Sequence, residues 1–197
     1  MERPDHVAAV ILAAGESRRY GSPKQLALLE GRTLLEHVLD AARAAGLRPV
    51  AAVVPVWLSR PASAAPSDEL VWLRNPSPER GMSYSLRLGL EALPPDASAA
   101  IILLGDQPGV QAAQLRALVA ARGPRPIIAS EYDGLLSPPV LLERSEFAAT
   151  SGLVGDIGLR DLIRSDPDRV IAVPAEPLPD IDVPEDLARP RSDGDRG

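Results

Sequence analysis

Runs of apolar residues alternate along this chain with segments of helical periodicity. The runs at residues 7–14, 49–55 and 99–104 are apolar throughout, which is typical of strands buried on both faces of a parallel sheet. Residues 33–46 begin with a T-L-L-E capping box, continue with an apolar stripe and end in glycine, a pattern that predicts a helix. A strand, a helix and a second strand in this order pair in parallel through a right-handed crossover.

The remainder of the chain continues this alternation. Further helices are predicted near residues 82–93, 111–122 and 152–164, and further strands near 70–73, 126–130, 138–142 and 170–173. We therefore expect an α/β fold, a three-layer Rossmann-like domain with a mainly parallel sheet and some mixed pairing late in the chain. This single domain should span residues 1–188, and residues 189–197, which lack apolar side chains, should form a disordered C-terminal tail.

Composition narrows the classes of function. A chain of 197 residues that is 45% hydrophobic suits one domain with a sizeable core. The net charge of -6 argues against a nucleic-acid surface and favours a small anionic ligand bound by a local cluster of cations. Cysteine is absent and only two histidines occur, so any metal should be a hard ion held by oxygen. The apolar runs are too short for a membrane span and the N-terminus is charged, which predicts a cytoplasmic protein.

The segment after the first strand carries the clearest chemistry. Residues 15–24, GESRRYGSPK, combine two glycines, two serines and three cations, the groups that bind a polyphosphate. The segment is not a P-loop, because Ser22 and Pro23 separate the second glycine from Lys24. Taken alone, it suits a turn with solvated basic residues equally well.

Several acidic residues are candidate metal ligands. Asp106 follows the third apolar run, which should place its carboxylate at the carboxyl edge of the sheet, where open α/β folds bind ligands. One carboxylate together with substrate phosphates is also how Mg²⁺ is usually held. The alternative is that Asp106 caps the following helix, although Pro108 and Gly109 intervene. Asp180 and Asp182 share one face of an extended segment, and they are either further ligands or solvated loop acids.

These segments together resemble the signatures of one enzyme family, the nucleotidyltransferases related to the molybdenum cofactor cytidylyl- and guanylyltransferases, or MobA-like NTP transferases. The pattern L-A-A-G-x-S-x-R-x-G-x-P-K-x-L is filled by Leu12, Ala13, Ala14, Gly15, Ser17, Arg19, Gly21, Pro23, Lys24 and Leu26. Shorter matches are Gly81 with S-L-x-x-G-L from Ser85, G-D-x-P at Gly105, G-D-x-G-x-R at Gly155 and D-I-D-x-P-E-D-L at Asp180. The chain departs from the family at residues 137–139, where relatives carry a basic or histidine-proline motif, and at Val183, where they carry threonine.

The resemblance implies specific roles for these residues. The implied nucleotide-binding residues are Leu12, Ala13, Ala14, Gly15, Ser17, Arg19, Lys24, Ser85, Gly105 and Asp106, of which Arg19, Lys24 and Asp106 are implied to be catalytic. The implied acceptor-binding residues are Gly81, Asp156 and Arg160. Asp106 and Asp182 are the implied ligands of Mg²⁺ or Mn²⁺, with Asp180 open as the alternative to Asp182. The alternative for the segment that contains Ser85 is that Ser83 caps the helix that begins near it and that the other polar residues are solvated.

The implied reaction is transfer of CMP from CTP to the terminal phosphate of a molybdopterin-type cofactor, with release of pyrophosphate. The L-A-A-G form resembles the cytidylyl branch, and a molybdenum hydroxylase is the implied recipient of the product. Three alternatives stay open: a guanylyltransferase, a nucleotidyltransferase of the same fold that acts on a sugar or alcohol phosphate, and a non-catalytic chaperone that binds the molybdenum cofactor. The chaperone would not need Lys24 or Asp106.

Overall fold

A seven-stranded sheet forms the middle layer of the computed structural model, which describes residues 6–15, 23–61, 69–155 and 159–177, and only the backbone of Arg160 and Ser165. The strands are β1 (His6–Leu12), β2 (Leu28–Leu29), β3 (Arg32–Thr33), β4 (Val50–Pro55), β5 (Leu70–Asn75), β6 (Ala97–Leu104), β7 (Ile127–Tyr132), β8 (Leu135–Glu143) and β9 (Val170–Pro174). The order across the sheet is β5-β4-β1-β6-β8-β7-β9, and β2 and β3 form a separate two-stranded ribbon.

The direction of the strands confirms the predicted fold class. β1 pairs in parallel with β4 on one side and with β6 on the other, and β4 pairs in parallel with β5. Of the strands described in the large sheet, β8 is the one that runs against its neighbours, β6 and β7, whereas β9 returns to the common direction beside β7. The sheet is therefore mainly parallel, and its mixed pairing lies late in the chain as expected.

Helices cover both faces of the sheet. They are α1 (Leu34–Ala44), α2 (Met82–Glu91), α3 (Ala112–Ala120) and α4 (Leu159–Ser165). Side chains of α1 and α3 join the core on one face, and those of α2 and α4 join the core on the other. Alternate residues of β1 enter the two cores, with Ile11 in the first and Val10 in the second, which explains why this strand is apolar at every position.

Local signals explain where the first two helices begin. The predicted capping box of α1 is confirmed, because the Glu36 amide donates to Thr33 Oγ1 at 3.2 Å and the Thr33 amide donates to Glu36 Oε2 at 2.9 Å. α2 begins after Gly81, which has φ of 83°, and no side chain caps it. Ser83 is therefore not the N-cap; it lies buried in the first turn, where its amide donates to the Gly155 carbonyl at 3.1 Å.

Two local differences from the predicted elements bear on the site. β1 ends at Leu12, two residues before its apolar run does, so Ala13 and Ala14 lie beyond the strand at the edge of the sheet. The short β2–β3 ribbon, which was not predicted, precedes α1, and His37 Nε2 lies 2.9 Å from the Leu29 carbonyl at its turn. This contact gives His37 a structural role between α1 and the ribbon.

The predicted tail at residues 189–197 lies outside the described residues. Within the part of the chain that the structure describes, none of the helices combines the length and the apolar character needed to cross a membrane.

A glycine sets the distance between α2 and the sheet. A methyl group at Gly89 would collide with Val10 Cγ1 and would lie 3.2 Å from Val53 Cγ2. Both neighbours are completely buried, so neither can move into solvent. Gly89 therefore lets α2 approach β1 and β4 closely.

We expect Gly89→Ala to destabilise the fold by roughly 1–3 kcal/mol through overpacking, although alanine is favoured over glycine in an exposed helix by about 1 kcal/mol. Denaturant unfolding of the variant measures this change. Val10→Ala removes the colliding carbon, so the double variant should lose less free energy of unfolding than the sum of the two single variants. Additive losses would show that the contact between Gly89 and Val10 does not limit the packing.

Candidate functional site

The carboxyl ends of β1 and β6 meet at the centre of the sheet. Leu12 pairs with Leu104, and the Gly105 amide donates to the Leu12 carbonyl at 2.9 Å just beyond the strands. A Cβ atom at Gly105 would lie 2.6 Å from the Cβ of Ala13, so this close approach requires glycine. β4 and β6 lie on opposite sides of β1, and a crevice forms in open α/β folds where the strand order reverses in this way.

A cleft of about 440 Å³ opens at this edge. Eight residues that the sequence singled out line it together, namely Leu12, Ala13, Ala14, Gly15, Gly81, Ser85, Gly105 and Asp106. The end of β1, the start of α2 and the end of β6 supply them, although they are separated by up to about ninety positions in the sequence. The fold therefore brings three of the motifs to one cavity.

Lys24 and Asp106 form an ion pair at the cleft. Lys24 begins a one-turn 3-10 helix, Lys24–Leu26, and its Nζ lies 3.3 Å from Asp106 Oδ2. The Lys24 side chain is 14% exposed and that of Asp106 is 36% exposed, so the pair is held at the wall with its carboxylate towards solvent. Asp106 does not cap α3, because that helix begins at Ala112 with Gln111 at its N-cap.

Ser85 is fixed by a buried asparagine. Asn75, at the end of β5, is fully buried, and its Nδ2 donates to Ser85 Oγ at 2.9 Å. Its Oδ1 accepts from the Ser77 amide at 2.8 Å. One amide side chain thus orients the serine on α2 and the loop that leads from β5 into the cleft.

The remaining predicted site residues are not placed. Ser17, Arg19, Asp156 and Asp182 lie outside the described residues, as does Asp180. Arg160 lies in α4, but its side chain is not described. Their roles stay predictions.

Two polar residues that were missed also line the cleft, Gln25 and Glu79. Gln25 is only 3% exposed, and its Nε2 is buried without a hydrogen-bond partner, which costs a typical protein about 1–3 kcal/mol. Glu79 is exposed at the rim. No pattern in the sequence distinguishes either residue from an ordinary surface side chain, and the position of Gln25 directly after Lys24 is the one available signal.

A second cavity of about 400 Å³ adjoins the first, and both are lined by Glu79. Arg80 and Arg87 lie against the ring of Tyr84 in this second cavity, with Cζ atoms 4.1 and 5.1 Å from the ring centroid. Two guanidinium groups held by an aromatic ring form a basic, planar surface that suits an anionic ligand.

The donor set at the cleft fits a hard divalent ion that relies on its substrate for further ligands. Among the described residues no group of three His, Cys, Asp or Glu side chains could hold a metal. Asp106 supplies one carboxylate at the cleft. Mg²⁺ and similar ions are commonly bound by one or two carboxylates plus substrate phosphates and water.

Comparisons with known proteins agree with this geometry. A sequence profile of the MobA-like NTP transferase domain matches residues 9–170. The purine catabolism protein PucB of Bacillus subtilis is 32% identical over 196 residues, which cover 93% of this chain and 95% of PucB. The crystal structure of Rv0371c from Mycobacterium tuberculosis superposes with a TM-score of 0.80 at 29% identity, covering 93% of this chain and 96% of that one. A manganese complex of Rv0371c superposes with a TM-score of 0.75 at 27% identity, covering 93% of this chain and 96% of that one.

We expect Asn75→Ala to lower the free energy of unfolding by about 1–3 kcal/mol, because the Ser77 amide loses its acceptor and Ser85 loses its donor. Ser77→Ala is the control, since the bond from residue 77 uses the backbone and should survive. Thermal unfolding of both variants measures the difference. Equal melting temperatures for the two variants would show that the asparagine does not organise this wall.

Proposed function

The chain belongs to the MobA-like NTP transferase family, and from this membership we propose that it transfers CMP from CTP to the terminal phosphate of a molybdopterin-type cofactor. It is a nucleotidyltransferase at the level of the family. The identities of the nucleotide and of the acceptor are our proposal, and a molybdenum hydroxylase as the recipient of the product stays a prediction from the sequence.

The observation that carries the proposal is the ion pair of Lys24 with Asp106, 3.3 Å apart, because Asp106 lines the cleft together with the residues of the L-A-A-G motif. Lys24 is the single lysine of the 197 residues, and the other side-chain cations of the chain are arginines, apart from its two histidines. A lysine ammonium is a compact point charge on a flexible stem, which suits a phosphate whose charge changes during the reaction. A chaperone that only holds its cofactor would have no need of this pair.

The proposed chemistry is a single displacement. A phosphate oxygen of the acceptor attacks the α-phosphorus of CTP and forms a new P–O bond, while the bond to the bridging oxygen breaks and pyrophosphate leaves with its electron pair. Lys24 neutralises negative charge that builds on the departing group, and the backbone at residues 12–15 positions the nucleotide. This displacement needs no covalent intermediate on the protein.

A divalent metal fits this account through Asp106. The manganese complex of Rv0371c supports metal use in this chain, and the Asp106 carboxylate at the cleft suits Mg²⁺ or Mn²⁺. When bound, such an ion neutralises phosphate charge and orients the reacting groups. Asp106 would hold it, and Lys24 would then exchange the carboxylate for a phosphate oxygen as its partner.

Two features support the proposed substrates. Ala13 and Ala14, each 4% exposed, line the cleft together with Ser85. Small side chains beside one hydroxyl group suit a pyrimidine base. The second cavity presents Arg80 and Arg87 beside the nucleotide cleft, which suits an acceptor that carries both a phosphate and a planar ring system.

A nucleotide and acceptor panel tests the proposed function. We expect pyrophosphate release from CTP with Mg²⁺ and a molybdopterin-type acceptor, and at least tenfold weaker competition by GTP, which corresponds to about 1.4 kcal/mol. A tenfold preference for GTP would favour the guanylyltransferase. Turnover with sugar or alcohol phosphates alone would favour that related class, and cofactor binding without turnover of any pair would favour the chaperone.

We expect Lys24→Ala to lower turnover on the order of 10²-fold while changing nucleotide affinity less, because only interactions stronger in the transition state accelerate the reaction. Lys24→Arg should not restore turnover, since a planar fork does not replace a point charge. Arg48→Ala is the control, because it removes a cation from an exposed ion pair with Glu69, away from the cleft. Steady-state kinetics that showed a raised KM and an unchanged kcat for Lys24→Ala would assign Lys24 to ground-state binding instead.

A further inference from the structure

Gln25 has a buried amide donor without a partner, and it lies at the nucleotide cleft. Gln25 lines the nucleotide cleft and is only 3% exposed. Its Nε2 is buried and has no hydrogen-bond partner. Buried polar groups in folded proteins almost always have a partner, so an orphaned donor requires an explanation. Because the Gln25 side chain lines the cleft while its Nε2 is buried, a ligand can supply the missing partner once the terminal amide turns towards the cleft.

Two other buried or half-buried amides of the described chain, Asn75 and Gln114, are bonded within the protein. Asn75 uses both ends of its amide, towards Ser85 and the Ser77 backbone. Gln114, on α3, donates from Nε2 to the hydroxyls of Ser130 and Tyr132. Gln107 has a buried Oε1 without a partner, but it does not line either cavity. Gln25 therefore combines an orphaned donor with a position at the ligand cleft.

We propose that the buried amide of Gln25 turns towards the cleft when a nucleotide binds and donates a hydrogen bond from Nε2 to the nucleoside part of that nucleotide. This inference rests on the proposed function, in that it takes the ligand to be a nucleotide. It adds a residue that contributes to nucleotide affinity and that no motif identified.

The chemistry of the neighbouring residues favours the nucleoside over the phosphates. Lys24, the preceding residue, already brings a full positive charge to the cleft. The Gln25 amide is neutral and carries one donor group and one acceptor group, which is the combination that base edges and ribose hydroxyls also carry. Ala13 and Ala14 line the same cleft with small side chains and leave room for a flat ring next to the amide.

Removing the Gln25 amide should have opposite effects on stability and on binding. Gln25→Met keeps the length of the side chain and removes the unpaired donor, so the melting temperature should stay the same or rise. The affinity for CTP and for CMP should fall about tenfold, while the affinity for pyrophosphate should not change. Gln25→Leu should behave in the same way and guards against an effect peculiar to methionine.

Gln114→Met provides the matched control. It makes the same substitution at an amide that is bonded within the protein and lines neither cavity, so it should lower the melting temperature and leave the affinity for CTP unchanged. Calorimetric titration of each variant with CTP, CMP and pyrophosphate, together with thermal unfolding, measures all of these quantities. The two glutamines should therefore show reversed patterns.

Distinct outcomes contradict the inference and the proposed function. If Gln25→Met bound CTP as tightly as the wild type, or lost affinity for pyrophosphate as much as for CMP, the assigned contact would be wrong. A lower melting temperature with unchanged CTP affinity would make Gln25 a structural residue. If the wild-type protein bound none of CTP, CMP and pyrophosphate, the proposed function itself would fail.

Discussion

The contact between the ends of β1 and β6 is the constraint on which the candidate site depends. Gly105 lies so close to Ala13 that a side chain there would collide with the alanine Cβ, and its amide is bonded to the Leu12 carbonyl. This contact places Asp106 directly beside the residues that follow β1. The ion pair to Lys24, the depth of the cleft and the position of its small alanine wall all follow from it.

The candidate site brings polar groups together, whereas the interior of the sheet is mainly apolar. Along the interior of the sheet, apolar side chains alternate between two cores and leave little polar surface to satisfy. At the carboxyl edge the chain instead places a carboxylate, a serine and an amide in one cavity, with a lysine paired to the carboxylate, and the amide Nε2 has no partner. Functional sites are where proteins are expected to break the rules that the rest of the fold obeys.

The sequence predicted the layers of the fold well because their signals are local. The apolar run of β1 and the capping box at Thr33 each require only a few neighbouring residues to be recognised, and both are present as expected. Eight of the motif residues identified by resemblance line one cavity, and their roles there stay predictions. The exact end of β1 could not be predicted, because the apolar residues Ala13 and Ala14 resemble strand residues until the close approach of Gly105 is known. The short β2–β3 ribbon was not predicted either.

Gln25 could not be identified from its sequence for a related reason. Its importance depends on burial and on the absence of a partner, and both properties arise from residues distant in the chain. The second cavity could not be predicted for the same reason, because the sequence alone does not show that Arg80 and Arg87 both lie against the ring of Tyr84. Sequence patterns locate helices, strands and motifs, whereas a buried polar atom without a partner, such as Gln25 Nε2, can be recognised only from the three-dimensional packing.

The central claim is that a nucleotide with its metal occupies the cleft at Lys24, and the composition of the chain offers a direct measurement of it. Because Lys24 is the single lysine, an amine-acylating reagent can modify only this side chain and the N-terminal amine, which serves as an internal reference. Mass spectrometry of the modified peptides at increasing CTP, with Mg²⁺ present, gives the rate of acylation at each amine. The account predicts that CTP protects Lys24 in a saturable manner while the N-terminal amine reacts at a constant rate; acylation of Lys24 at an unchanged rate in saturating nucleotide would contradict it.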